Sequence, residues 1–324
     1  MPRPLALAAA AVCTTTLLAS AAVSARAPGK ATVQAATKAA STAPLDADPM
    51  TALADAERAF ARETAKVGIR AGFLAWFARD AIGFRPALGN ARQQIESRPV
   101  PANPTATRLE WEPRVGDIAA DAALGWLTGP SVFIAADGSR HYGNYLSVWT
   151  RRPEGWRVFI DVGADAPTPV AFAPWFVRLP AAAGRYAAST SPAATAAADP
   201  VSPLKDAEKA ANTDAGFLRA LAAEARYHRP GSLPLVGRPA IEADPGARAP
   251  GVKRDSLAAA QARSADLGDT YGRYERAAAE PGAAPPTPAG DGTGAKAGYY
   301  LRVWRRNAAG TWQIVAQVDQ PDGR

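Results

Sequence analysis

Cysteine occurs once in the 324 residues, at Cys13, and histidine twice, at His141 and His228. Cys13 lies inside an apolar N-terminal stretch, so the rest of the chain can form neither a disulfide nor a thiolate metal site and must be stabilised by ordinary cores. No spacing of His, Asp and Glu suits a metal, and there is no glycine-rich phosphate loop and no Ser-His-Asp arrangement. No metal or cofactor is therefore expected. Long hydrophobic runs are also missing. No stretch reaches the 18 or so uninterrupted apolar residues of a membrane span, so stable membrane insertion is not expected. Acidic residues are outnumbered, 30 against 37 basic, for a formal charge of +7. The arginines are scattered singly or in pairs, as at Arg151-Arg152 and Arg305-Arg306, with no recognised nucleic-acid motif, so nucleic acid is not an expected partner. A basic surface of this kind suits attraction to anionic envelope polymer.

What is present at the start reads as an address. A short basic beginning carrying Arg3 precedes an Ala-rich apolar run, residues 5–18, and small residues ending at Val23-Ser24-Ala25. This predicts a signal peptide over 1–25, with Ala21 as an alternative cleavage point and a retained anchor as the competing reading. The expected location is periplasmic or secreted. Residues 26–48 and 181–203 are rich in Ala, Thr, Ser and Pro and poor in large apolar side chains, which predicts a flexible leader and a linker. Residues 170–179 hold Phe172, Trp175, Phe176 and Val177 between prolines and are too apolar to float free.

Four sequence blocks occur twice, in the same order. DAER at 55–58 recurs as DAEK at 206–209, and AGFLAWFARDAIGFRP at 71–86 as AGFLRALAAEARYHRP at 215–230. LGWLTG at 124–129 recurs as LGDTYG at 267–272, and GNYLSVWTRRPEGWRVFIDV at 143–162 as GYYLRVWRRNAAGTWQIVAQV at 298–318. The second copy is seven residues shorter between its first two blocks, close to two helical turns, so a shortened helix keeps its face toward the core. It also carries a Pro/Gly-rich insert at about 281–294, which predicts a surface loop. Domains are thus expected over 49–180 and 204–324.

Within a copy, Ala56, Phe60, Val67, Phe73, Leu74 and Phe77 recur at helical spacing, and Gly68 and Gly72 should break or bend a helix running from about 52 to 79. A short strand near 83–86 and a helix near 92–95 should follow, then strands at 109–113, 117–128, 131–135, 142–151 and 156–163. Helices first and strands after predict an α+β fold with two tandem cone-shaped domains. Each should have N-terminal helices packed on a curved antiparallel sheet.

The block from Phe73 to Ala81 with Phe84-Arg85-Pro86, then Leu124-Gly125 and Gly129, then 143–149 and 156–163, resembles the nuclear transport factor 2-like superfamily, in particular its small SnoaL-like bacterial branch. The resemblance covers about three quarters of the chain beyond residue 25. It implies a pocket between helices and concave sheet, and says little about chemistry. Steroid-isomerase members carry their general base, an Asp, directly before the Pro of the matching block. Here Arg85 and, in the second copy, Arg229 stand there, and a permanently protonated arginine cannot abstract a proton.

The candidate pocket residues are Trp76, Asp80, Phe84, Arg85, Tyr145, Trp149 and Asp161 in the first copy. In the second they are His228, Arg229, Tyr300, Trp304 and Gln317. The aromatics suit core and pocket lining for a small hydrophobic ligand. His228 is either a pocket acid/base or a partly exposed polar side chain. Asp161, replaced by Gln317 in the second copy, is either a general base or cation ligand, or an ion-pair partner of Arg157 or another nearby arginine. Asp80 and Glu224 should end a helix, with compensation from Arg79 or Arg92. Alternation places Trp156, Val158, Ile160 and Val162 on one sheet face and Trp312, Ile314, Ala316 and Val318 on the matching one. This predicts an intramolecular pseudo-dimer, sheet against sheet. The expected role is small-molecule binding or scaffolding. An enzyme of lyase or isomerase type with one active cone is the alternative, and binding of anionic envelope polymer a third reading.

Overall fold

The computed structural model describes residues 48–179, 199–247, 252–276 and 297–322. The expected signal peptide, the leader up to residue 47, most of the linker and the 281–294 insert lie outside the described residues. No helix among the described residues is long and apolar enough to cross a membrane.

The fold is α+β. The first half runs α1 (Pro49–Val67), α2 (Ile69–Trp76), β1 (Phe77–Gly83), β2 (Gly89–Asn90), α3 (Ala91–Glu96), β3 (Arg108–Trp111), β4 (Val115–Ile118), β5 (Leu124–Ile134), β6 (Arg140–Arg152), β7 (Gly155–Ala166) and β8 (Val177–Arg178). The second runs α4 (Ser202–Ala210), α5 (Asp214–Ala220), β9 (Leu221–His228), β10 (Leu235–Val236), α6 (Arg238–Ala243), β11 (Val252–Gln261), β12 (Leu267–Arg276), β13 (Ala297–Arg306) and β14 (Trp312–Pro321). Strand order is β2-β1-β7-β6-β5-β4-β8, with β3 also on β5, and β10-β9-β14-β13-β12-β11. Each half is therefore a cone of helices against one curved sheet. The sheets are mixed rather than purely antiparallel, because β1 runs parallel to β7 and β9 parallel to β14.

Helix α1 begins where Asp48 accepts from the Thr51 amide at 3.1 Å and Pro49 supplies a preset φ at the first helical position. It ends at Gly68, whose φ of 87° is open to glycine. Its buried stripe is Met50, Leu53, Ala54, Glu57, Phe60 and Thr64. In the second half α4 has 9 residues against 19 in α1.

The helix expected to reach residue 79 stops at Trp76. Phe77 turns extended, and pairing with β7 overrides helical spacing. Asp80 and Glu224 therefore sit in strands, not at helix ends. The single strand expected over 117–128 is two strands joined by a turn at Ala119–Ala122. Ala122 has φ 52° there, and its counterpart Ala265 has φ 53°. Neither turn carries a glycine or proline to mark it. The 170–179 segment docks, with β8 parallel to β4 and Phe172, Val177 and Leu179 in a buried cluster.

A β-bulge corrects the expected sheet faces. Trp149 pairs with Val158 and Val148 with Ile160, leaving Phe159 as the extra residue. Trp156 and Val158 therefore point into the first cone's own core, and Ile160 and Val162 to the opposite face. The second sheet repeats the device between Ile314 and Ala316. Trp312 and Ile314 belong to that cone's core, while Val315, Ala316 and Val318 face outward. One buried cluster joins the outward faces, with Trp126, Leu146, Val148, Ile160 and Val162 from one sheet and Leu301, Val303, Ala316 and Val318 from the other. At its margin the two equivalent turns exchange hydrogen bonds. Ala120 donates to Asp266 at 3.0 Å and Ser264 to Asp121 at 3.1 Å.

Candidate functional site

The interior of the first cone holds a cavity of about 310 Å3. Phe73 and Phe77 enter from α2 and the start of β1, Ile95 from α3, and Trp111, Tyr145 and Asp161 from the sheet. Gly83, Phe84 and Arg85 line the end where β1 leaves the sheet. The rim carries the exposed residues Arg98, Phe133, His141 and Asp165. Four of the expected first-copy residues thus meet at one cavity: Phe84, Arg85, Tyr145 and Asp161.

Asp161 projects into the cone because the bulge at Phe159 resets the alternation, so that it faces Ser147 across the ladder. The expected ion pair with Arg157 is absent, since Arg157 lies near Glu154 instead, at 4.0 Å. Among the described residues Asp161 makes no hydrogen bond or ion pair. Burial, and then the charge of Glu57, raise its pKa to about 8. The Tyr145 hydroxyl also lacks a hydrogen-bond partner and lies in the cavity wall. Burial first, then nearby carboxylates, holds its pKa well above the ordinary value.

Sequence reasoning missed Glu57. It sits in the middle of the apolar stripe of α1 and is 1% exposed. It accepts from the Trp111 indole at 2.7 Å, Ser147 Oγ at 2.8 Å and the Trp149 indole at 2.9 Å. Burial raises it to about 7 despite these bonds. The one trace of it in the sequence is the repeated DAE block, whose acid takes the same place in both helices. Trp149 and the half-buried Trp76 belong to this aromatic core, 6.0 Å apart.

Asp80 lies elsewhere, on the sheet's outer side, held by Arg152 at 2.7 and 2.9 Å rather than by Arg79 or Arg92. Phe84 stacks on Tyr299 of the second half at 5.4 Å. With the Gln320 amide turned so that its oxygen faces the guanidinium, Arg85 Nε donates to it at 2.6 Å.

In the second cone the equivalent inward positions carry large polar side chains that bond one another. Glu208, the counterpart of Glu57, accepts from Arg302 at 2.8 Å, Thr270 at 2.6 Å and Tyr300 at 2.8 Å. Burial alone would raise Glu208, but the Arg302 charge and these donors hold it below its ordinary value. Gln317 accepts from Arg302 Nε at 2.8 Å and donates to Asp319 at 2.8 Å. Tyr227 donates to the other Asp319 oxygen at 2.5 Å. The Trp304 indole donates to Thr270 at 2.8 Å. Arg229 is buried and paired with Asp244 at 2.9 Å. His228 is neither in this interior nor partly exposed. Alternation sets it opposite Tyr227, it is fully buried, and neither ring nitrogen has a partner. Burial, then Arg226, lowers its pKa to about 3.

No family model and no curated protein matches the chain. Solved structures match part of it. A nuclear transport factor 2 (NTF2-like) superfamily protein from Salmonella enterica serovar Typhimurium is 12% identical, with a TM-score of 0.30, over 36% of this chain and 90% of that one. An NTF-2 like protein of unknown function from Shewanella oneidensis is 9% identical, with a TM-score of 0.30, over 36% and 100%. The CaMKII hub of S. rosetta is 16% identical, with a TM-score of 0.29, over 37% and 97%. At this level of similarity the matches assign no role to any residue.

Proposed function

We propose that this protein binds a small, largely hydrophobic molecule in its first cone and that the second cone serves as a structural half. The observation that carries this reading is the asymmetry between two equivalent interiors. One keeps an aromatic-walled cavity of about 310 Å3, with the half-buried Asp161 carboxyl and the buried Tyr145 hydroxyl in its wall and the hydroxyl without a partner, whereas in the other Arg302, Tyr227 and their acids bond one another. Buried polar groups are normally paired within a protein, so unpaired ones at a cavity wall suit a ligand. In the same reading the halves are tandem nuclear transport factor 2-like domains of the SnoaL-like kind over 49–180 and 204–324. They form an intramolecular pseudo-dimer, and the chain is exported by a cleaved signal peptide. Native mass spectrometry of the protein purified from its own source tests the function. A co-purifying small molecule, lost in Asp161→Leu, is expected. A chain that carries none and binds none of a panel of small hydrophobic compounds refutes it.

A catalytic version has one observation in its favour. A carboxyl raised to about 8 beside an aromatic cavity is suited to moving a proton near neutral pH, as a lyase or isomerase requires. Turnover of a bound compound that disappears in Asp161→Asn while binding persists would distinguish it from plain binding.

A further inference from the structure

The second cone contains an internal clue to what the first one binds. Strand registers fix the equivalence of the two cones residue by residue. In the first, Phe77 pairs with Val158 and Ile82 with Ile160; in the second, Leu221 pairs with Ile314 and Arg226 with Ala316. The next residue in each strand is Gly83 and Tyr227. The short return strands agree, since Gly83 faces Gly89 and Tyr227 faces Leu235. The same registers make Asp161 the counterpart of Gln317 and Gly163 that of Asp319.

Tyr227 places a phenol inside the second cone. Its ring meets Phe217 edge to face at 5.7 Å, the Arg229 guanidinium lies 5.5 Å from its centre, and its hydroxyl donates to Asp319 at 2.5 Å. In the first cone the counterparts of Phe217 and Arg229 are Phe73 and Arg85, and both line the cavity. The residue that would supply the ring is Gly83, which lines it too. The carboxyl is present but lies two residues earlier on the same strand face, at Asp161. Gln317 and Asp319 touch at 2.8 Å, so a carboxyl at the first of these positions is one hydrogen bond away from where the phenol ends.

We propose that the first cavity binds a single-ring phenol, seated against Phe73 and beside Arg85 with its hydroxyl donated to Asp161, where the second cone inserts its own tyrosine. This rests on the reading of the cavity as a ligand site and adds the ligand's chemical class. The ring supplies apolar area to Phe73, Phe77 and Trp111. The hydroxyl gives Asp161 the partner it lacks, and a ring lacking that donor leaves the carboxyl desolvated and unpaired.

The test titrates p-cresol, which is the tyrosine side chain as a free molecule, into the full chain, with toluene and cyclohexane as controls. Calorimetry gives affinity, and NMR locates the site. The expected result is one site with p-cresol shifts at Phe73 and Arg85, at least tenfold tighter than toluene. Asp161→Leu should erase that preference. Gly83→Tyr, made with Gln94→Ala because a side chain at position 83 would collide with the Gln94 amide, should abolish p-cresol binding. Tyr227→Gly should create a second p-cresol site and regain thermal stability on its addition. If that second site appears while the wild-type chain binds no p-cresol, the inference is overturned. If toluene binds as well as p-cresol, the phenol class is wrong while the ligand site itself stands. If none of the three binds at the cavity, the phenol inference falls, while the ligand site is decided separately by native mass spectrometry and the compound panel. Should Tyr227→Gly fail to fold, the wild-type, Asp161→Leu and Gly83→Tyr arms decide alone.

Discussion

Tyr227 and Gly83 occupy the same place in two equivalent strands: one sends a phenol into its cone, and the other has no side chain, with the Gln94 amide lying where its first carbon would stand. The tyrosine is therefore a structural member of the second half. It is buried, its ring packs on Phe217, and its hydroxyl satisfies Asp319. We expect Tyr227→Phe to destabilise the chain by about 1–2 kcal/mol through loss of a hydrogen bond to a buried carboxylate, and Tyr227→Ala by about 3–5 kcal/mol through the cavity it leaves. Denaturant titration checks both. A Tyr227→Phe chain as stable as wild type would show that the hydroxyl contact contributes nothing.

Arg302 offers a second contrast with the first half, where Ser147 is its counterpart. Arg302 and Glu208 are both fully buried and bonded to each other. Removing only one partner strands a charge in a dry interior. Arg302→Met should cost about 3–5 kcal/mol, and Arg302→Met with Glu208→Gln distinctly less. A double variant no more stable than the single one would argue that packing around Arg302, rather than its charge, dominates.

Asp161 contributes to the pH dependence of stability, alongside Glu57, which burial raises to about 7. The pKa of Asp161 in the folded chain, about 8, lies above the ordinary carboxylate value of 3.8. The folded state therefore holds a proton that the unfolded state has lost between those limits. Its contribution is fully present below about pH 4 and is lost as pH rises through about 8. Asp161→Asn should flatten the decline in melting temperature over that window, most of all between about pH 5 and 7. A melting profile with the same slope in variant and wild type would remove Asp161 from the account.

His228 works in the opposite direction. Its pKa is lowered to about 3, so the unfolded chain binds a proton from about pH 6.5 downward that the folded chain refuses, and stability falls toward acid. The equivalent residue in the first half is Phe84, which stacks on Tyr299. We expect His228→Phe to raise stability by about 1–3 kcal/mol at neutral pH, by removing a buried ring with two unpaired nitrogens, and to weaken the acid-side loss. A destabilised His228→Phe chain would show that the imidazole has a partner that only solution measurements reveal.

The α+β architecture, the two-cone arrangement and the docking of 170–179 were legible because blocks repeat in order and because apolar spacing changes from helical to alternating. Three features were not. The turn at Ala119–Ala122 has positive φ on an alanine, with no glycine to announce it. The bulge at Phe159 leaves no mark in composition, yet it decides that Asp161 faces the cavity and that Val158 does not share a face with Ile160. The burial of Glu57 contradicts its residue type and is visible only from its place in the stripe of α1. Cavity and filling were likewise written in the repeat, as Gly83 against Tyr227 and Ser147 against Arg302. They became readable as such once strand register showed that these positions point inward.

The bulge also determines which substitutions separate the halves. Trp156, Val158, Trp312 and Ile314 serve the core of their own cones, whereas Ile160, Val162, Ala316 and Val318 meet in the cluster shared by both sheets. Val318 is fully buried there. A carboxylate at 318 would have to reach water, and the least costly route is to part the sheets, because each cone keeps its own aromatic core. Val318→Asp should therefore lower overall stability by more than about 3 kcal/mol and enlarge the radius of gyration, while the near-ultraviolet signal of the tryptophans in the first core persists. Ile314→Asp should behave differently. It places the charge inside the second cone, so tertiary signal and secondary structure of that half should be lost together. Small-angle scattering and circular dichroism on both variants separate the two outcomes. If Val318→Asp keeps the wild-type scattering profile, or if the two variants unfold alike, the sheet-to-sheet cluster does not hold the halves together in solution.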